Sequence, residues 1–192
     1  MYSEIVPASS TWESVRHINP RGVILSGGPA SVYEPGAPMV PQWVFERRLP
    51  VLGICYGMQA LVHQLGGKVT PGLKQEYGFA VLHQNAIESP VFQGMPTSFQ
   101  VWMSHGDRVE ELPPGFTSLA YTENSPVAAI GNGDGIFGIQ FHPEVRHTPL
   151  GNSILENFLF RSCACQATWT PRNFVSDSIA HIRDQVGDGR VI

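Results

Sequence analysis

The sequence predicts an α/β fold: a mostly parallel sheet with flanking helices, carrying an antiparallel strand extension. Three observations predict it. In the first third of the chain, short apolar runs (Gly22-Val23-Ile24-Leu25 and Val51-Leu52-Gly53-Ile54) alternate with segments of helical period. That is the pattern of strands buried on both faces and joined by crossover helices. From about residue 79 onward the runs are separated by turn residues instead, as in Gly131-Asn132-Gly133-Asp134-Gly135, which reads as a hairpin connection. Finally, 192 residues with 42% hydrophobic and 15% charged side chains are enough for one domain with a real core plus an appendage.

Taken in order, Tyr2 to Val6 reads as a short strand. Thr11 to Ile18 reads as a short helix with Ser10 or Thr11 as its cap. The strand Gly22–Leu25 ends in the turn cluster Ser26-Gly27-Gly28-Pro29, and residues 31–41, with prolines at 35, 38 and 41, are a loop. Gln42–Arg48 offers one or two helical turns, Val51–Ile54 the next strand, and Met58–Leu65 a helix closed by Gly66-Gly67. Phe79–Leu82, Ser98–Met103, Thr117–Tyr121, Val127–Ile130 and Ile136–Phe141 read as strands, and Asn152–Arg161 as a helix. Pro171–Val186 is a further helix with Phe174, Ile179 and Ile182 on one face. Composition changes after Trp169-Thr170-Pro171, so residues 1–165 are expected to form one domain and 166–192 a linker and the first helix of another.

Composition excludes several classes. A net charge of −4 without a Lys/Arg cluster argues against a nucleic-acid surface. No apolar run approaches the roughly 18–20 residues of a membrane span, and the N-terminus lacks the pattern of a signal peptide. Three cysteines, an odd number, suit a reducing cytoplasm better than a disulfide scaffold. Cys163-Ala164-Cys165 lacks a second ligand pair and reads as structural thiols, so no metal site is expected.

The chemistry centres on Cys55. An apolar run ends in Gly53-Ile54-Cys55-Tyr56-Gly57 and a helical segment begins, which is the nucleophile-elbow pattern with cysteine in place of serine. Glycines on both flanks suit a strained turn, and a helix N-terminus beneath the sulfur favours the thiolate. The competing reading is a buried cysteine acting as a small hydrophobe. A thiol needs a base and the base an orienter. His142-Pro143-Glu144 supplies both: in extended chain, residues i and i+2 point to one side, roughly 6.5 Å apart, so Glu144 can hold one ring nitrogen while the other faces sulfur. The alternative is an ordinary surface turn. The N–H groups of Gly28 and Tyr56 could form an oxyanion hole, because loops after neighbouring parallel strands emerge at one edge. Ser104-His105-Gly106-Asp107 reads either as a loop for substrate contacts, with Asp107 holding an ammonium, or as a plain turn. His63 reads as packing or surface, and His17, His83, His147 and His181 show no partner pattern.

Together, Gly53-Ile54-Cys55-Tyr56-Gly57-Met58-Gln59 and Gly138-Ile139-Gln140-Phe141-His142-Pro143-Glu144 resemble the nucleophile and His-x-Glu motifs of the class I (triad-type) glutamine amidotransferases. Ser26-Gly27-Gly28-Pro29-Ala30-Ser31-Val32-Tyr33 and Ser104-His105-Gly106-Asp107 are similar to the glutaminase domains of GMP synthetases within that family. The resemblance implies a flavodoxin-like core and glutamine hydrolysis, with Cys55 as nucleophile, His142 as proton shuttle and Glu144 as its orienter. It implies Gly28 and Tyr56 as oxyanion hole, and Gln59, Ser104, Gly106 and Asp107 as the glutamine contacts. It implies no cofactor for that step. In the complete enzyme it implies a synthetase (ATP pyrophosphatase) domain as partner, ATP with Mg²⁺, amination of XMP to GMP, and a homodimer.

Two departures accompany the resemblance. Such domains begin with one more strand and helix, lacking here before Tyr2–Val6, so an unpaired gap is expected in the sheet. The chain also stops at Val191-Ile192, before the phosphate loop of a synthetase half. Both imply a fragment of marginal stability and low activity. The alternatives are an inactive truncated docking domain or another α/β cysteine hydrolase.

Overall fold

The structure, a computed structural model, describes residues 2–167, 170–187 and 189. They fall into two compact units, Pro7–Ala164 and a smaller one made of Met1–Val6 with Cys165–Ile192. The larger unit carries one seven-stranded sheet: β1 (Val23–Leu25), β2 (Val51–Ile54), β3 (Lys68–Gln84), β4 (Ser98–Glu111), β5 (Thr117–Tyr121), β6 (Ala129–Gly131) and β7 (Ile136–Ile139), in the order β1-β2-β7-β6-β5-β3-β4. β2 pairs in parallel with β1 on one side and β7 on the other, and the remaining neighbours are antiparallel. The α/β class, with a parallel core and an antiparallel extension, is therefore as the sequence predicts. The register Leu25↔Gly53 and Ile54↔Ile139 brings the carboxyl ends of the three parallel strands to one edge, where open α/β sheets place their sites.

Helices α1 (Trp12–Val15), α2 (Gln42–Glu46), α3 (Tyr56–Gln64) and α4 (Gly151–Asn157) belong to this unit, and α5 (Pro171–Val186) to the smaller one. Thr11 caps α1, its side chain accepting from the Ser14 N–H, and Thr170 caps α5 in the same way toward Asn173. Every residue of β2 is buried, as are Tyr56–Val62 of α3. Gly138 on β7 lets α3 lie close: a Cβ there would come within 2.7 Å of Met58 Cγ. Among the described residues no helix is long and apolar enough to cross a membrane.

The structure differs from the sequence expectations at several points. Tyr2–Val6 forms no strand, because five residues become one only where a neighbour supplies the hydrogen-bond ladder. The sheet of described residues has no internal gap: β2 is paired on both sides, and β1 is an edge. β3 starts at Lys68 rather than Phe79. Pro71, Gly72 and Gly78 look like breakers, but the strand absorbs them in an irregular stretch where the register jumps from Pro71↔Asp107 to Glu76↔His105. β4 likewise runs on through Ser104–Asp107, so that tetrapeptide is strand and not a loop or turn. The β6–β7 hairpin is as expected, tightened by Asn132 Oδ1, which accepts from the N–H groups of Asp134 and Ile136. β7 ends at Ile139, and α4 ends at Asn157, followed by one π-helical turn over Phe158–Ser162. Trp169, Val191 and Ile192 lie outside the described residues.

Candidate active site

Cys55 joins β2 to α3 with φ 51° and ψ −107°, a conformation that costs a non-glycine residue about 1–3 kcal/mol and survives only where its surroundings dictate it. They do so here. The Cys55 N–H donates to Ile139 O at 2.8 Å, which locks the elbow to β7, and its carbonyl accepts from the Gln59 N–H at 3.2 Å. The flanking glycines are required by space. A Cβ on Gly53 would lie 2.6 Å from the Met58 nitrogen, and one on Gly57 would collide with the carbonyl oxygen of Leu25. Both obstacles are backbone and cannot turn aside. The sulfur is thus held at the head of α3 beside β1 and β7.

His142 reaches the same place from β7. Its N–H donates to Trp102 O at 3.0 Å, and its carbonyl accepts from Thr148 Oγ1 at 2.6 Å. That hydroxyl in turn accepts from the Trp102 N–H at 3.0 Å, so one buried threonine ties the histidine's backbone to β4. His142 Nδ1 lies 2.7 Å from Glu144 Oε1. The pairing arises in a turn rather than in extended chain, since Pro143 and Glu144 bend away after β7. Gly27, at the end of β1, abuts both groups: a Cβ there would lie 3.1 Å from His142 Cε1 and 3.6 Å from Cys55 Cβ. A hydrogen bond with Cys55 and a second with Glu144 raise the His142 imidazole to about 10, against the opposing effect of burial. Burial works against the Glu144 carboxylate, but hydrogen bonds from His142 and from the backbone prevail and hold it below its ordinary value.

The remaining predicted residues gather around this pair. Gly28 packs on Tyr56, whose ring lies 3.7 Å from a Cβ built at Gly28 and whose hydroxyl donates to Pro38 O at 2.6 Å. Tyr56 is the first residue of α3, so its N–H has no acceptor within the helix. The Ser104 carbonyl stands 3.7 Å from Cys55 Sγ. Asp107 accepts from Ser31 Oγ at 2.5 Å and from the Tyr33 hydroxyl at 2.8 Å, which ties the loop after β1 to β4. A Cβ on Gly106 would sit 3.6 Å from Gln75 Nε2. Gln59 is buried, and both hydrogens of its amide nitrogen are spent, on Asp107 O and on Gln140 Oε1, each at 3.1 Å. Only its oxygen is left to face a ligand.

Sequence reasoning missed three features. Gln140 is 1% exposed, and its Nε2 lies 3.7 Å from Cys55 Sγ. Thr148 is the backbone tie described above. Glu76, on β3, accepts from Ser125 Oγ at 2.8 Å and Thr122 Oγ1 at 3.0 Å, and lies 3.2 Å from His105 Nε2. Burial opposes the Glu76 charge, but the hydrogen bonds from His105, Ser125 and Thr122 prevail and lower it. His105 is therefore a buried strut of β4 and no loop contact, with Nδ1 2.8 Å from Asp107 O. A signal existed for Gln140 alone: an amide inside the apolar run Ile139-Gln140-Phe141 must find partners or be costly to bury. Glu76, His105, Thr122 and Ser125 meet only through long-range pairing, which spacing does not reveal.

Comparison with known proteins places the geometry in context. A family profile described as glutamine amidotransferase class-I matches residues 1–162. The chain is 58% identical over 192 residues to a protein of Dehalococcoides mccartyi named GMP synthase (glutamine-hydrolyzing), and 56% identical to one of the same name from Thermomicrobium roseum. It spans 36% of the length of each of these curated relatives, and they cover all of it. Among solved structures, a GMP synthase subunit from Thermoplasma acidophilum superposes with a TM-score of 0.77 at 28% identity, over 94% of this chain and 84% of that one. A glutamine amidotransferase from Thermotoga maritima, at 22% identity and a TM-score of 0.66 over 76% of this chain and 79% of that one, shares the fold.

Proposed function

This chain belongs to the class-I glutamine amidotransferases, and from that membership we propose that residues 1–165 form a glutaminase that splits glutamine into glutamate and ammonia at Cys55. The observation that carries the reading is the meeting of Cys55, His142 and Glu144 at the carboxyl edge of β2 and β7.

In the resting site the sulfur is a thiolate and His142 an imidazolium steadied by Glu144. The thiolate attacks the side-chain carbonyl carbon of glutamine, and the carbonyl electron pair moves to oxygen, where the N–H groups of Gly28 and Tyr56 act as donors. Each well-placed donor is worth about 3 kcal/mol of barrier. His142 passes its proton to the amide nitrogen, the C–N bond breaks, ammonia departs, and a glutamyl thioester remains. Neutral His142 then takes a proton from water, the hydroxide attacks the thioester, and glutamate leaves with thiolate and imidazolium restored. Ser104, Gly106, Asp107 and the free oxygen of Gln59 hold the substrate's amino-acid end. No cofactor takes part in this step. The test is release of glutamate from glutamine without hydrolysis of model esters. Ester cleavage without glutamate release would identify a different cysteine hydrolase.

The relatives are longer than this chain, and they suggest the use of the ammonia. Residues 166–192 would lead into an ATP pyrophosphatase domain that aminates XMP to GMP with ATP and Mg²⁺, in an assembly of two copies.

Two predictions arise here. The imidazolium is the acid that expels ammonia, so kcat/KM holds through neutral pH and falls as pH rises through about 10. The sign for stability agrees: a raised folded pKa contributes fully below the unfolded value of about 6.5 and is lost as pH rises through the folded one. Glu144→Gln removes one of the two supports, so the alkaline limb moves to lower pH. Turnover falls roughly a hundredfold less than on loss of the nucleophile, as is usual for an orienter. A pH–rate profile of both proteins checks this; an unmoved limb, or a loss matching that of Cys55→Ala, contradicts it.

A further inference from the structure

The structure assigns a fourth member to the thiol's machinery: we infer that Gln140 donates an N–H to Cys55 Sγ and stabilises the thiolate, its amide being oriented through Gln59 by the backbone of β4. The inference rests on the glutaminase reading of Cys55 and adds to it a residue that touches the reacting atom.

Chemistry fixes which way both amides point. Asp107 O is a backbone carbonyl and can only accept, so the group of Gln59 that lies 3.1 Å from it is the NH₂. The second hydrogen of that NH₂ meets Gln140 3.1 Å away, where it needs an acceptor, so the oxygen of Gln140 faces Gln59. The nitrogen of Gln140 is left toward the sulfur at 3.7 Å. Reversing either amide would set oxygen against oxygen or nitrogen against nitrogen. The anchor of this chain is also rigid. Asp107 O is held by His105 Nδ1 at 2.8 Å, and His105 by the buried Glu76.

Charge at the sulfur comes from several sides. His142, backed by Glu144, favours the anion from the β7 side. On the β4 side stand the Asp107 carboxylate, which disfavours it, the paired His105 and Glu76, and the Ser104 carbonyl, 3.7 Å away, which can accept from a thiol but offers a thiolate nothing. Gln140 is the neutral donor that makes the buried anion acceptable on the side away from the imidazole. A hydrogen bond to a charged group in a site shielded from water is stronger than a neutral one.

The test follows Cys55 in the 192-residue chain by mass spectrometry during alkylation with iodoacetamide across pH. Gln140→Met keeps the length of the side chain and removes the donor. The pH of half-maximal alkylation is expected to rise by about one unit, roughly tenfold less thiolate at a given pH below it. Turnover of glutamine falls by a similar factor with KM little changed, which a purely structural role does not produce. Gln59→Met leaves the sulfur's own neighbour in place and frees it to rotate, and a smaller shift in the same direction is expected. Should Gln140→Met fail to fold, Gln59→Met decides. Folded variants that both alkylate as the wild type does overturn the role of Gln140. A wild type that hydrolyses no glutamine sinks the glutaminase reading instead, whatever the variants do.

Discussion

Cys55→Ala lowers glutamate release from glutamine by at least about 10⁴-fold, because an acyl transfer that loses its nucleophile keeps only binding and oxyanion stabilisation. Its melting temperature stays close to that of the wild type or rises, since φ 51° at this position is strained for any non-glycine residue and alanine is no worse than cysteine. In a complete enzyme containing a synthetase half, the same substitution is expected to leave amination by free ammonia intact, because the thiol serves amide cleavage alone. The measurement is a paired assay, glutamine-dependent and ammonia-dependent, on one preparation. An equal fall in both activities contradicts this division of labour.

Gly57→Ala tests the elbow and not its chemistry. The added methyl group would collide with the carbonyl oxygen and the Cβ of Leu25, at the end of β1. Since the carbonyl is backbone, the head of α3 has to lift away from the sheet or β1 has to shift. A loss of about 3 kcal/mol is expected, and a fall in melting temperature of roughly 6–12 °C for a domain of this size. Activity falls with it, because lifting α3 carries Tyr56 and Cys55 away from His142. Gly133→Ala, in the β6–β7 hairpin with nothing within 4 Å of its added carbon, is the control and leaves stability near that of the wild type. Equal melting of Gly57→Ala and the wild type would mean that the close approach of α3 to β1 is not required.

What was legible in the sequence is what local chemistry encodes. β2 and the beginning of α3 show themselves because apolar residues run unbroken up to Gly53-Ile54-Cys55-Tyr56-Gly57, and only a tight elbow needs glycine on both flanks. β5, Thr117–Tyr121, and α5, Pro171–Val186, are marked at both ends by turn or cap residues and fall where expected. The hidden parts depend on distant partners. β3 is concealed by Pro71 and Gly72, which act as breakers in isolation but are carried inside a long strand by pairing with β4. Tyr2–Val6 shows the converse, a strand-like composition with no ladder to join. The site divides in the same way. Cys55, His142 and Glu144 are visible because an elbow and an i, i+2 pair are short-range patterns, even though a turn and not extended chain brings the last two together. Thr148 and the Glu76–His105 pair act through contacts made only after β4 has been placed, and no spacing along the chain announces them.

The most direct test of a shared sulfur and imidazole is covalent. The folded chain is incubated with a chloroketone analogue of glutamine, and its peptides are mapped by mass spectrometry. A single adduct is expected on Cys55, blocked by excess glutamine, slowed by about tenfold or more in His142→Ala, and absent from Cys163 and Cys165. An unmodified Cys55 in folded protein, or labelling indifferent both to glutamine and to His142, contradicts the account.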